Sequence, residues 1–557
     1  MSRMGGQPLV VLSDESQRTS GRDAQAMNIT AGKAVATAIR TTLGPKGMDK
    51  MLVDSTGDAL VTNDGVTILR EMDIEHPTAN MIVDVAKTQE TEVGDGTTTA
   101  VVLAGQLLAK AEELLEQEVH ATTVARGYRQ AAQQIPELLE ELVTDVDASD
   151  REYLERIATT AMTGKGAEHE KDHLADLIVT AIQIIADDDL IDLDHIDVKS
   201  LVGGAVGDTE LIEGVVVEKK KVHQEMPMIV EDATVALLDG EIDTKETEID
   251  AEVNVSDPDE LQEFLDEEER QFREQVDRLG ELGVDVLFTT ENIDDGPRHM
   301  MANAGILAAR RIDDDEAERL ARTTGAIRAG SIEALTEDHL GYAGTVAERE
   351  TGDDTWIFVE DVEDPGAVTI LLRGGTEHVV DEIERALEDS LGVVRTTVQD
   401  GRVVPGGGAP EISLALGLRD FADSVGGREQ LAVEAFADAL DVIPRTLAEN
   451  AGHDPIDSLV ELRAAHDGGA SASGLDAYTG EIEDMLEAGV VEPWRVKTQA
   501  IDAATEAAVM ILRIDDVISA GDLAVSDDDG GEEEEEGPPG GGMGGMGGMG
   551  GGMGGMM

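Results

Sequence analysis

Apolar residues recur at helical spacing through most of the first 143 positions. From Asp23 to Arg40 the positions Ala26, Ile29, Ala34, Ala38 and Ile39 predict one helix, which stops at the Gly44-Pro45 break. Further helices are predicted from Thr78 to Thr91, from Thr97 to about Glu118 and from about Thr122 to Val143. Between the first two, Met51 to Asp54 and Ala59 to Thr62 flank a Ser-Thr-Gly-Asp turn and read as a hairpin, while Leu9 to Leu12 suit a short strand.

Beyond a charged break from Asp145 to Arg151, two helical stretches are separated by Ala158 to Gly166. Alternation from Ile191 to Leu201, closed by Gly203-Gly204, is strand-like. From Gly214 to about Asp364 strands at Val215 to Val217, Thr234 to Leu238 and Val284 to Phe288 alternate with helical segments, which predicts a separate α/β domain. Inside it, Asp243 to about Leu279 is acidic yet keeps the helical stripe Leu261, Phe264, Leu265 and Phe272, so it should be buried on one face and project from its domain. A strand from Ala367 to Leu372 and a helix from Thr376 to Val394 follow; helical sequence then resumes after Gly406-Gly407-Gly408 and is predicted to run to about Ile518. The acidic and Gly-Gly-Met tail, Asp527 to Met557, has no means of burying a core and is expected to be disordered.

Composition narrows the partners. A chain of 557 residues should hold about three or four domains of roughly 150 residues. Its 119 acidic side chains against 42 basic ones give a formal charge of −77, which argues against nucleic-acid backbone or an anionic membrane surface. Because the acids lie on amphipathic helices as well as in blocks, the chain reads as globular and adapted to concentrated salt, where a short screening length removes most self-repulsion. With no cysteine there is no disulfide framework, thiolate metal site or cysteine nucleophile. No run reaches the roughly 18 apolar residues of a membrane span, and the N-terminal residues lack a signal-peptide pattern, so a cytoplasmic location is expected.

Candidate chemistry centres on Gly94-Asp95-Gly96-Thr97-Thr98-Thr99-Ala100, which runs straight into Val101, Val102, Leu103 and Ala104. Such a helix N-terminus attracts phosphate, whereas Asp95 would repel it unless a metal ion lay between them, so the segment points to a Mg²⁺-nucleotide. The plainer reading is a turn followed by an N-cap. Thr42-Leu43-Gly44-Pro45-Lys46-Gly47 is a second glycine-bracketed loop, but it is not the Walker pattern. Asp64, in Asn63-Asp64-Gly65, suits an ordinary tight turn. Lys165 stands on a loop between Gly164 and Gly166 and would ordinarily be solvated, as would Asp381, Glu384, Glu388 and Asp389 along their helix.

Taken together, these loops resemble one family. Thr42 to Lys50, Thr62 to Ile68, Val93 to Thr99, Val404 to Ala409, and Val491 to Pro493 with Arg495 to Ala500 match the wording of a group II chaperonin, the archaeal thermosome type, over nearly the whole chain. The resemblance implies a multidomain α and α/β fold. In it, residues 1–146 and 403–526 form a mainly helical equatorial ATPase domain, 147–213 and 369–402 a small α/β intermediate domain, and 214–368 an apical substrate-binding domain whose lid protrusion is about 243–279.

Carried over by position, the resemblance implies that Thr42, Leu43, Gly44 and Pro45 cradle phosphate, with Gly96, Thr97, Thr98 and Thr99 continuing the cradle. Asp95 would hold Mg²⁺, Asp64 and Asp389 would place and activate the attacking water, and Lys165 would sense the γ-phosphate of ATP. Gly407, Gly408 and Glu492 would line the adenosine side. Two positions depart from the family wording: Glu388, where many relatives carry histidine, and Trp494, where leucine is usual. An added carboxylate at Glu388 is expected to raise the pKa of Asp389.

The function implied is an ATP-driven chaperonin, built from identical or related subunits in a double ring, that encloses non-native proteins. A metabolic phosphotransferase would use the same loops on a small acceptor but leaves the acidic projection and the tail without a role. A passive holdase would require a degenerate site, and every loop is intact.

Overall fold

The computed structural model describes residues 18–518 except 148, 167–168, 187–190, 244–257 and 353. The expected strand from Leu9 to Leu12, much of the acidic projection and the 527–557 tail therefore lie outside the described residues. Ser20–Asp516 make one compact unit, which carries everything below.

Its first core is helical and draws on both ends of the sequence. Residues from Ile29 to Leu142 and from Val404 to Leu512 share one apolar cluster. At its centre is the Thr97–Glu116 helix, in which Ala100, Val101, Leu103, Ala104, Leu107 and Leu108 are all buried, so this helix is apolar nearly all round for its first three turns. The Arg22–Ile39, Pro77–Val93, Ala121–Glu140, Glu429–Leu440 and Trp494–Leu512 helices pack about it. With so few aromatics, Tyr128 matters: it meets Phe436 edge-on at 5.6 Å, and its hydroxyl donates to the Leu107 carbonyl at 2.8 Å.

A second core joins the Arg151–Met162, Lys171–Ile185 and Glu377–Asp400 helices to a three-stranded sheet. Val368–Gly374 is the middle strand, parallel to Ile196–Val202 and antiparallel to Glu210–Ile212. The third region is a six-stranded mixed sheet in the order Leu307–Arg310, Val286–Thr289, Ile229–Leu238, Gly341–Thr351, Asp354–Glu360, Val215–Val217. Strand alternation buries both of its faces: Ala233, Val235 and Leu237 enter one core, Ala236 and Leu238 the other.

The main helices stand close to where periodicity places them, and two local departures have physical reasons. The antiparallel ribbon of Gly341–Thr351 with Asp354–Glu360 was not anticipated, because its glycine-rich start breaks the apolar run. The region after residue 409 is not continuous helix: the Ser473–Leu475 and Ile482–Asp484 hairpin and the Val491–Pro493 strand interrupt it, and three-residue strands are too short for a period to register. In the acidic segment the described part is the Pro258–Leu282 helix, which buries Phe272, Val276 and Leu279.

Candidate active site

Two left-handed glycines hold the Asp95 turn. Gly94 closes the Pro77–Val93 helix at φ 78° and Gly96 opens the Thr97–Glu116 helix at φ 79°. Gln89 locks the turn, its Nε2 donating to the Asp95 carbonyl at 2.7 Å and the Val496 carbonyl at 3.1 Å. Gly96 supplies no capping side chain, so the first amides, on Thr97, Thr98 and Thr99, lack intrahelical partners at the positive end of a 20-residue helix. These amides stand where the sequence predicts an anion cradle, on a helix packed into the first core.

The other predicted phosphate-side residues converge on it. A Cβ placed on Gly65 would come within 2.4 Å of Thr98 Oγ1, so the Asp64 turn lies directly against the cradle. Asp64 is an N-cap, its Oδ2 accepting from the Thr67 amide at 2.7 Å, so one carboxylate oxygen is committed to the turn. Asn450 steadies the Thr42–Pro45 loop by donating to the carbonyls of Arg40 at 3.1 Å and Leu43 at 2.9 Å. Asn63 donates to the Gly164 carbonyl, and a Cβ on Gly164 would stand 2.9 Å from the Pro45 Cα, so the Lys165 turn is gripped from both sides.

Lys165 is half-buried and ion-paired rather than freely solvated. Its Nζ lies 2.6 Å from Asp389 Oδ2 and 3.5 Å from Asp95 Oδ1. Burial alone would lower the lysine's pKa, but Asp389 and Asp95 outweigh it and the ammonium is held charged. Asp389 is pushed up to about 7, chiefly by burial; Lys165 pulls it down while Asp64 and Asp95 push it further up. Glu388 is not a leading cause of this shift, contrary to expectation: its own carboxyl is raised by burial and by Glu384 and Glu90, in a different cluster. The helix bearing Asp389 rests on the cradle itself, since a Cβ on Gly392 would sit 3.1 Å from the Gly94 Cα.

Gly407, Gly408 and Glu492 form a neighbouring cluster. Gly408, at φ 80°, caps the Ala409–Ala422 helix, and a Cβ there would meet Pro444 at 2.9 Å. A Cβ on Gly407, at φ 64°, would strike Met485 Sδ at 2.8 Å. Leu43 packs with Val102, Val442 and Ile443, which links this cluster to the phosphate side. Glu492 lies on the strand paired with Arg402–Pro405, and its Oε1 is 3.0 Å from the Lys497 Nζ, which also meets Glu411 Oε1 at 2.7 Å. Burial pushes Glu492 up to about 7, with Lys497 opposing. Gln89, Asn63, Asn450, Lys497, Glu411 and Gly392 were missed as individual positions. Only the adjacency of Asn63 to Asp64 and of Lys497 to Glu492 offered a signal.

This donor set fits a nucleotide carried with Mg²⁺: unpartnered amides and a lysine suit phosphate, and the Asp95 carboxylate supplies hard oxygen for a hard cation. The chain matches the model of the TCP-1/cpn60 chaperonin family over residues 35–522. It is 65% identical over 522 residues to thermosome subunit alpha of Halobacterium salinarum, covering 94% of this chain and 93% of that protein. Thermosome subunit 1 of Haloferax volcanii is 64% identical over 519 residues, 93% of each chain. The thermosome subunit of Methanopyrus kandleri is 58% identical over 523 residues, 93% of this chain and 96% of its own. These relatives leave the phosphotransferase and holdase readings without support. The chain belongs to the TCP-1/cpn60 chaperonin family, as a group II, thermosome-type chaperonin ATPase of a halophilic archaeon.

Proposed function

We propose that this chain binds Mg-ATP on the Thr42–Pro45, Gly96–Thr99 and Gly407–Gly408 loops and hydrolyses it with a base delivered from the Glu377–Asp400 helix. The observation that carries the reading is Lys165 bridging Asp389 and Asp95, residues from segments far apart in sequence. Mg²⁺ held by Asp95 would neutralise phosphate charge. Asp389, with its pKa near neutrality, suits a general base that takes a proton from water, and Asp64 orients that water through its free oxygen. Lys165 leaves its carboxylate partners for the γ-phosphate, which frees Asp389 to act. Glu492 closes the adenosine side.

The separate apolar cores support the domain division: 1–146 with 403–526 as equatorial ATPase, 147–213 with 369–402 as hinge, 214–368 as the part that holds clients and bears the lid. Closure of the hinge brings Asp389 and Lys165 onto the nucleotide and so couples hydrolysis to enclosure of a non-native protein. The subunits assemble into rings with identical or related copies in the cytoplasm, with no role on nucleic acid or membrane. Among the described residues no helix is long and apolar enough to cross a bilayer.

Asp389→Asn should lower ATP turnover by roughly 10²- to 10⁴-fold while Mg-ATP affinity stays near that of the wild type. Asp95→Ala should instead weaken Mg-ATP binding measured by calorimetry. Turnover retained in Asp389→Asn overturns the assignment of the base.

A further inference from the structure

Away from the nucleotide site, His223, Glu225 and His299 present one ligating atom each, all within 4.8 Å of one another. The two imidazoles meet edge-on, with ring centroids 5.4 Å apart at 66°. We propose that this trio is a binding site for a divalent transition-metal ion of the zinc type, which ties the segment following the Val215–Val217 strand to the Asp295–Ala304 helix.

Both arms of the site are anchored before any ion arrives. On one side Val222 donates its amide to the Ala308 carbonyl at 2.9 Å, and the Met226 amide closes a turn onto the His223 carbonyl at 3.2 Å. On the other, His299 is carried by a helix whose Met301 is buried in the same apolar cluster as Met226. Arg298, the neighbouring cation on that helix, is engaged with Asp295 and the Ile293 carbonyl. The backbones are therefore fixed, and any adjustment falls to the three side chains, half-buried at His223 and exposed at Glu225 and His299. A tetrahedral zinc ion with bonds of about 2.0–2.1 Å holds its ligands roughly 3.4 Å apart, so small side-chain rotations suffice.

The donor chemistry selects the ion. Two imidazole nitrogens and one carboxylate oxygen favour Zn²⁺, Ni²⁺, Co²⁺ or Cu²⁺ over Mg²⁺ and Ca²⁺, which prefer all-oxygen shells. That distinction matters here, because 119 carboxylates offer hard cations many weak sites. His223 Nδ1 now accepts the Glu225 amide at 3.2 Å, which in a neutral ring puts the proton on Nε2. Metal capture exchanges that hydrogen bond for a coordinate bond, releases no redox equivalent, and leaves a fourth position for water.

The test is titration of the full chain with Zn²⁺ alone, in high KCl with excess Mg²⁺ to saturate the carboxylates, followed by calorimetry and by the visible absorption of bound Co²⁺. One saturable equivalent per chain, resistant to Mg²⁺ and weakened roughly tenfold or more in both His299→Gln and His223→Gln, supports the site. Glu225→Gln, a milder change at an exposed position, should weaken binding without altering the fold. Absence of a saturable site, displacement by Mg²⁺, or unchanged affinity in the histidine variants overturns it.

Discussion

Replacing Lys497 by methionine tests how the adenosine-side cluster is held. The Lys497 side chain is 6% exposed and that of Glu411 2%, with Nζ–Oε1 distances of 2.7 Å to Glu411 and 3.0 Å to Glu492. Glu411 Oε2 has no protein partner among the described residues, so the ammonium is what holds this carboxylate in the core. Methionine fills the volume but strands the buried Glu411 against the half-buried Glu492, and breaking a buried pair in this way costs about 3–5 kcal/mol. At about 2–4 °C per kcal/mol for a domain of this size, the melting temperature should fall by roughly 6–20 °C. The loss should also depend on pH, with a definite sign. Glu492 already sits near 7 in the folded chain, held down only by Lys497. Without that pull its folded pKa rises further above the unfolded value of about 4.3, so the folded state binds more protons and stability declines as pH rises through the window between the two. The variant should therefore lie closer to wild type at pH ~6 than at pH ~8, by up to about 1.4 kcal/mol per pH unit. Calorimetric scans at one rate, in high KCl at both pH values, measure this. Adding Glu411→Gln and Glu492→Gln to the methionine variant should recover most of the loss, since a neutral cluster of similar volume strands no charge. A melting temperature within about 2 °C of wild type, or a shift larger in acid, refutes the reasoning.

Gly392→Ala probes the contact that brings the base to the cradle. In a helix interior alanine is favoured over glycine by roughly 0.5–1 kcal/mol, yet here the new methyl would stand 3.1 Å from the Gly94 Cα and 3.5 Å from the Val93 carbonyl, neither of which is able to rotate away. The helix should lift by tenths of an ångström, lowering turnover by roughly tenfold with Mg-ATP affinity retained in parallel binding assays; a stabilised variant with full turnover would refute this. His466 should set an acid limit to stability. Burial lowers its pKa, Ser413 Oγ lies 2.8 Å from Nδ1, and the Ser473 carbonyl lies 2.7 Å from Nε2. Because the folded value lies below the unfolded one, stability is present above about pH 6.5 and is lost as pH falls through it, and His466→Gln should melt with a shallower acid dependence than wild type.

Periodicity made the helices legible because each buries a stripe in a core, and glycine content made the turns at Gly94 and Gly96 legible because glycine readily takes the left-handed backbone they adopt. It gave no access to which acids meet which lysines. Asp389 and Glu388 are neighbours on one acidic helix, yet a rotation of about 100° per residue sends Asp389 to Lys165, 224 positions away, and Glu388 toward Glu384 and Glu90. No local pattern encodes that choice; it is made by Gly392 seating against Gly94 one turn further on. Asp64 shows the converse: one of its oxygens caps a helix, as the plain reading of the turn expects, and a cap that uses one oxygen is compatible with the proposed chemical role of the carboxylate. The residues proposed to hold phosphate stand on elements of the core shared by both ends of the chain, whereas Asp389 and Lys165 stand beside the second core, and the two sets touch at Gly94 on Gly392 and Gly164 on Pro45. The backbones meet closely at both joints, and the side chains that cross there, Asn63 onto the Gly164 carbonyl and Lys165 onto Asp95, do so by polar contacts. Separation at these joints would therefore break polar contacts rather than an interlocked apolar face, which suits the hinge closure proposed above.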